Sequence, residues 1–231
     1  MTDKSAYVHS AFAAIADRYD LLNTLLSFNQ DRGWRRSTVS SLGLRGPEAV
    51  LDVATGTGKL AQELERKVGA GGMVVGIDFC QPMLRKAKVQ TSRTELVLAT
   101  SERLPFPDRC FDSATIGFAL RNVPDKESTL REMARVMKPG GKVVCLEFSR
   151  PRHPIMRSLH RLYLLRMLPT IGWLISGDKD AYLYLPRSIM EFPGAEELKE
   201  VMEKAGLDRV HFRFLTWGVV ALHIGTKPQK C

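Results

Sequence analysis

Between residues 49 and 148, short runs of aliphatic and β-branched residues alternate with stretches whose apolar positions recur every three or four residues. Ala49-Val50-Leu51-Asp52-Val53 is an almost unbroken apolar run and predicts a strand buried on both faces. A glycine-rich turn follows, then a helix over about 58–68. Met73–Asp78 predicts a second strand, and a second helix begins over 82–88. Residues 95–98 and 111–118 predict the third and fourth strands. A helix over 128–137 is broken by Gly140-Gly141, and 142–147 predicts a fifth strand. Such alternation implies parallel β-α-β units with right-handed crossovers.

The two ends follow other patterns. Residues 5–42 predict two or three helices, with Ala11, Phe12, Ile15, Tyr19 and Leu22 at helical spacing. Residues 150–190 form a long insertion, helical in its first half. There Arg150, Arg152, Arg157, Arg161 and Arg166 interleave with Ile155, Met156, Leu159, Leu162, Leu164, Leu165, Met167 and Leu168. A helix over 196–205 ends at Gly206, and 210–215 and 219–225 predict a hairpin. That hairpin gives an otherwise parallel sheet one antiparallel edge. The expected segments within one domain are a helical cap (1–45), a ligand-binding core (46–149), an insertion (150–192), and a terminal helix with hairpin (193–227).

At 231 residues the chain is long enough to bury a full core, and 44% apolar with 26% charged residues is ordinary for a globular protein. The net charge of +9 leaves open a polyanion, an anionic membrane, or neither, because the basic residues are dispersed rather than gathered in one tract. Cys80, Cys110, Cys145 and Cys231 have no metal-ligand or C-x-x-C spacing, so neither a metal site nor a disulfide framework is expected. No secretory pattern follows Met1, and no apolar run is long enough to span a membrane. A cytoplasmic protein, free or resting against a membrane, is the expectation.

The chemistry concentrates after the first predicted strand. In Asp52-Val53-Ala54-Thr55-Gly56-Thr57-Gly58, a Gly-x-Gly turn lets backbone pass close to a ligand at a helix N-terminus. Asp78 closes the second strand, 22 residues beyond Gly56, where a carboxylate accepts ribose hydroxyls. The same spacing matches a dinucleotide fingerprint. Three features favour S-adenosylmethionine (SAM): Asp52, positioned for an ammonium that a dinucleotide lacks; the Met137-Lys138-Pro139-Gly140-Gly141 break; and the terminal hairpin. The competing structural reading is that Asp52 caps the turn and the glycines only permit tight packing.

With these motifs in view, the chain resembles the ubiquinone/menaquinone biosynthesis C-methyltransferases. The resemblance rests on Phe12-x-x-Ile15-Ala16-x-x-Tyr19-Asp20-x-x-Asn23 and the run from Leu51 to Gly58. It extends through Glu102-x-Leu104-Pro105-Phe106-Pro107-Asp108, Thr115-Ile116-Gly117-Phe118-Ala119-Leu120-Arg121-Asn122-Val123, Leu146-Glu147-Phe148-Ser149 and Gly218-Val219-Val220-Ala221-Leu222-His223. It implies a class I SAM-methyltransferase fold of the α/β, Rossmann-like type: a seven-stranded sheet, parallel except for one antiparallel C-terminal strand. It implies methylation of a ring carbon of a prenylated quinol, with demethylmenaquinol preferred over the ubiquinone precursor. It also implies SAM contacts at Thr57, Asp78, Thr100-Ser101 and Gly117, beside Asp52, Gly56 and Gly58. Thr100 departs from the Asp or Asn usual in relatives, yet its hydroxyl still accepts one hydrogen bond.

Arg121-Asn122, past the fourth strand, are the candidate catalytic pair: a fixed positive charge near a phenolate and a donor beside it. In relatives the matching Arg is proposed to act with a water as proton acceptor. An unassisted Arg is no base at neutral pH, so the base stays open. Tyr19 and Asp20 join the pocket by resemblance, or Tyr19 is a packed aromatic of the first helix. His223 is a base candidate or a structural histidine. Asp180, Tyr182, Tyr184 and Arg187 are secondary candidates. The basic, apolar run at 150–168 suits docking on an anionic bilayer, or else is an amphipathic helix packed on the sheet. No nucleic-acid partner is expected, and a homodimer is left open. The alternatives are another small lipid-like acceptor, or a non-catalytic RNA-binding protein on the same fold.

Overall fold

The computed structural model describes residues 10, 12, 13, 16–167 and 180–229, the side chains of 180–184 excepted. Ala11, Ile15, Leu168 and Cys231 of the patterns above lie outside these residues. The strands are β1 (Ala49–Val53), β2 (Met73–Asp78), β3 (Thr94–Leu98), β4 (Phe111–Gly117), β5 (Met137–Phe148), β6 (Asp208–Leu215) and β7 (Val220–Thr226). The helices are α1 (Tyr19–Leu26), α2 (Asp31–Leu42), α3 (Lys59–Glu65), α4 (Gln81–Gln90), α5 (Lys126–Val136), α6 (Pro154–Leu162), α7 (Asp180–Glu191) and α8 (Ala195–Lys204).

One sheet runs in the order β3-β2-β1-β4-β5-β7-β6. The first five strands pair in parallel, and β7 is antiparallel to both β5 and β6. The hairpin therefore forms the antiparallel edge that the sequence suggested. β7 inserts between β5 and β6. Its Val220, Ala221 and Leu222 are all buried, whereas β6 alternates apolar positions with exposed Arg209, His211 and Arg213. The more apolar strand takes the slot covered on both sides.

Period-2 alternation splits the core into two layers. Leu51 and Val53 of β1 pack with α5 and α8, through residues such as Leu130, Met133, Leu198 and Met202. Val50 points the other way, toward Trp34, Val39 and Leu42 of α2 and Leu60 and Leu64 of α3. Asp52 shares the parity of Val50 and so lies on the α2 side.

The break before β5 differs from expectation. α5 begins one residue after Asp125, whose carboxylate accepts the Ser128 N–H at 2.9 Å, and it stops at Val136. β5 then starts at Met137, and a register shift against β4 absorbs Gly140 and Gly141 as a bulge. A Cβ on Gly141 would sit 2.8 Å from two backbone oxygens, so glycine is required there for packing rather than for ending a helix. The insertion is helical at both ends: α6 runs into a π-turn (Tyr163–Met167), and α7 carries Pro186 within it.

Candidate active site

The loop from β1 to α3 is held by carboxylates. Asp78, at the end of β2, accepts the Gly56 N–H and the Cys80 N–H, each at 2.8 Å, and ties together the turns that follow β1 and β2. Asp52 accepts the hydroxyls of Thr55 and Thr115, each at 2.7 Å, and is 1% exposed. Burial pushes its pKa up to about 6, while the two hydroxyls and the nearby charge of Arg35 pull the other way.

The two glycines of the turn do different work. Both have positive φ, +58° at Gly56 and +82° at Gly58. A Cβ on Gly58 would lie 2.9 Å from Thr91 Cγ2 and 3.2 Å from the Ala87 Cα, so Gly58 is needed for packing on α4. Among the described residues, a Cβ on Gly56 would meet nothing within 4 Å, so the loop shows them bare backbone there. A crevice of about 40 Å³ lies beneath the turn, lined by Asp52, Thr55, Gly56, Thr57, Gly117, Phe118, Tyr19 and Arg35. An open glycine face, a buried acid and a second acid closing β2 form a donor set that fits a cationic nucleoside.

α1 covers this crevice. The Thr57 hydroxyl, an expected ligand contact, donates to Asp20 at 2.6 Å, and Asp20 also accepts from Gln90 Nε2 at 2.6 Å. Gly117 ends β4 and lines the crevice, with Leu60 Cδ2 3.2 Å from where a Cβ would be. Thr100 and Ser101 lie just past β3, which pairs with β2 at Asp78. Thr100 is exposed, and the Ser101 hydroxyl is 3.1 Å from that of Thr129.

A cavity of about 480 Å³ adjoins the crevice, and Tyr19, Arg35 and Phe118 line both. Phe118 takes φ +55° and stands between Trp34 and Phe148, with ring centroids 5.8 and 4.9 Å away. A left-handed phenylalanine costs on the order of 1–2 kcal/mol and marks a position where the ring's placement is over-determined. α1, the π-turn and α7 close the far side through Leu22, Leu164 and Ile189, and α6 adds Met156 and Leu159. The Tyr163 hydroxyl anchors that roof by donating to Leu26 O at 2.6 Å.

Arg121 lines the cavity at 7% exposure. Its Nη1 donates to Glu147 Oε1 at 2.8 Å and to Phe118 O, and its backbone N–H donates to Glu147 Oε2 at 3.2 Å. The guanidinium lies 5.2 Å from the Phe148 ring centroid, and its Nε is buried without a hydrogen-bond partner among the described residues. Asn122 is buried in the same 3₁₀ turn but is not among the residues lining the cavity. Glu147 was missed as a site residue. Its signal was a lone acid near the end of an apolar strand, which requires a buried partner. Arg35, Trp34 and His160 were also missed, because only folding brings α2 and α6 to one wall. Burial lowers the His160 pKa from 6.5, so this cavity-lining imidazole stands neutral at physiological pH.

Other candidates lie elsewhere. His223 is inside the sheet, its Nε2 2.8 Å from Ala195 O and its ring 5.0 Å from that of Phe212. Burial draws its pKa down to about 4, which makes it a structural histidine. Arg187 pairs with Glu191 at 2.7 Å on an exposed face, and the side chains of Asp180, Tyr182 and Tyr184 lie outside those described. Of the five insertion arginines, Arg150 donates to Phe192 O, Arg152 pairs with Glu196, and Arg157 folds back on the carbonyls of Pro151 and Arg152. Arg166 is also engaged.

Solved structures with this fold include a SAM-dependent methyltransferase from Thermotoga maritima, described as a possible histamine N-methyltransferase. It has TM-score 0.65 and 20% identity, over 94% of this chain and 98% of that one. Phosphoethanolamine N-methyltransferase 2 of Haemonchus contortus, solved with S-adenosylhomocysteine, matches with TM-score 0.62 and 14% identity over 84% of this chain and 52% of its own. At these identities the likeness concerns the fold. Sequence relatives are much nearer. The ubiquinone/menaquinone biosynthesis C-methyltransferase UbiE of Hahella chejuensis is 43% identical over 98% of this chain and 94% of its own. A demethylmenaquinone methyltransferase of Staphylococcus aureus is 44% identical over 96% of this chain and 93% of its own. The model of the ubiE/COQ5 methyltransferase family matches residues 1–227, and the chain belongs to that family.

Proposed function

We propose that this chain methylates a ring carbon of a prenylated quinol, with demethylmenaquinol as the preferred acceptor and SAM as the methyl donor. The observation that carries the reading is the buried Arg121 guanidinium, with an unpartnered Nε, at the wall of a largely apolar cavity that opens into the glycine-loop crevice. A volume of about 480 Å³ suits a small-molecule site. Its aromatic wall of Trp34, Phe118 and Phe148 suits a flat ring.

SAM supplies an electrophilic methyl group when bound. On this reading Asp78 takes the sugar hydroxyls, and Asp52 faces the ammonium. Gly56, Thr57, Gly58, Thr100, Ser101 and Gly117 shape the remaining contacts. Arg121 stabilises negative charge on the quinol oxygen, which drives electron density to the neighbouring carbon. Tyr19, at the junction of crevice and cavity, keeps donor and acceptor in line and excludes water. With the quinol hydroxyl's proton lost to solvent, the ring carbon bonds to the methyl group as the methyl–sulfur bond breaks, and loss of the ring proton with reprotonation of the oxygen restores the aromatic quinol.

The cavity opens past exposed Phe28, Leu159, Leu162 and Met167, the route we assign to the prenyl tail. Among the described residues no helix is long and apolar enough to cross a membrane. α6 nevertheless presents exposed Ile155 and Leu159 beside Arg161, which has no partner among the described residues. We assign this surface to docking on an anionic bilayer. In vesicle flotation, the chain is expected to float with anionic vesicles, and a double Ile155→Glu, Leu165→Glu variant to stay behind. A native chain that fails to float removes the docking assignment. The function is tested by methyl transfer from labelled SAM to demethylmenaquinol, with the product detected by mass. No methylated quinol from folded, SAM-binding protein would refute it.

A further inference from the structure

We infer that Arg35 receives the carboxylate at the amino-acid end of the methyl donor, opposite Asp52, so that the crevice reads a zwitterion. The inference rests on the SAM reading of that crevice. The alternation of β1 puts Asp52 on the sheet face that α2 covers, and α2 carries Arg35. The Arg35 side chain is 11% exposed and lines the crevice together with Asp52 and Gly117. Its Nη1 is paired with Asp31, whose other oxygen accepts the Ser27 hydroxyl at 3.2 Å. Asp31 thus fixes the guanidinium through a single nitrogen, and no described residue takes the donors on Nε and Nη2. A planar fork with donors to spare is suited to a second carboxylate.

Arg35 is close enough to Asp52 for its charge to oppose the burial of that carboxyl. A cation and an anion that line the same small crevice match the two charges of an α-amino acid and no part of a nucleoside or a quinol. The cavity has its own buried cation in Arg121 for the acceptor oxygen.

The test is calorimetry on the full chain with four probes: SAM, S-adenosylhomocysteine, decarboxylated SAM and 5′-methylthioadenosine. Arg35→Gln is expected to weaken the first two on the order of ten- to a hundredfold, the range of a charge-assisted hydrogen bond. It should leave the two probes without a carboxylate unchanged, which also shows that the variant is folded. Arg35→Lys, a charge without the fork, should fall between. Equal weakening of all four probes, or unchanged affinity for SAM with a raised KM for the quinol, would overturn the inference. Failure of the native chain to bind any of the four would instead overturn the SAM reading beneath it.

Discussion

Removing the Glu147 carboxylate would leave the Arg121 guanidinium buried with only the Phe118 carbonyl and the Phe148 ring for company. Glu147→Gln is therefore expected to cost about 3 kcal/mol in urea unfolding, since breaking a buried pair strands the remaining charge. Arg121→Gln should lower kcat about a hundredfold while leaving SAM affinity, read by calorimetry, near native. Asp52 carries a pH signature. Its folded-state pKa of about 6 lies above the ordinary 3.8, so between these values the native state holds a proton that the unfolded state has lost. Stability contributed by Asp52 is thus present at low pH and fades as pH rises toward 6. Asp52→Asn should gain on the native protein by up to about 3 kcal/mol as pH rises from about 4 to 6. His223, drawn below 6.5 to about 4, acts in the opposite sense, losing stability as pH falls. The difference between variant and native denaturation midpoints isolates the Asp52 contribution. A difference that stays flat across this range would refute the assignment.

At the scale of the elements, α1 buries little of its own and covers the site directly. Leu22 is its one buried residue, and Asp20 secures it through Thr57 and Gln90. Asp20→Ala is expected to speed amide hydrogen exchange across Tyr19–Leu26 on the order of tenfold or more, with β1 and β4 unaffected. Equal protection in variant and native protein would show that Asp20 is not the latch. The strands show which elements were legible in the sequence. β1 and β2 were read to the residue because burial on both faces leaves a nearly unbroken apolar run between turn residues. β5 was misread at its start because a bulge and a helix break use the same glycines, and only pairing with β4 separates them. The position of β7 inside the sheet, rather than at its edge, was settled by competition between two strands for one covered slot.

For the whole molecule, ligand linkage gives a direct test. SAM at about one hundred times its Kd should stabilise the native state by about 2.7 kcal/mol. In a chain of this length that corresponds to a Tm increase of roughly 5–10 °C. Asp78→Ala should abolish the increase and also lower the starting Tm, because that carboxylate holds two turns together besides its proposed sugar contact. A full ligand-induced increase in this variant would displace Asp78 from the site. The glycine turn, the two acids and Arg121 were visible in the sequence, because the backbone geometry and charges they require admit few residue types. By itself, then, the sequence determined the strand–helix alternation, the glycine-rich loop and the family, all encoded in local pattern and short spacing. The tertiary structure alone decided that Arg35 stands beside Asp52 and that Glu147 holds Arg121. It also decided that α1 and α6, more than a hundred residues apart, roof one cavity. Such contacts join distant segments through packing of opposite sheet faces, and no periodicity along the chain records which helix covers which face.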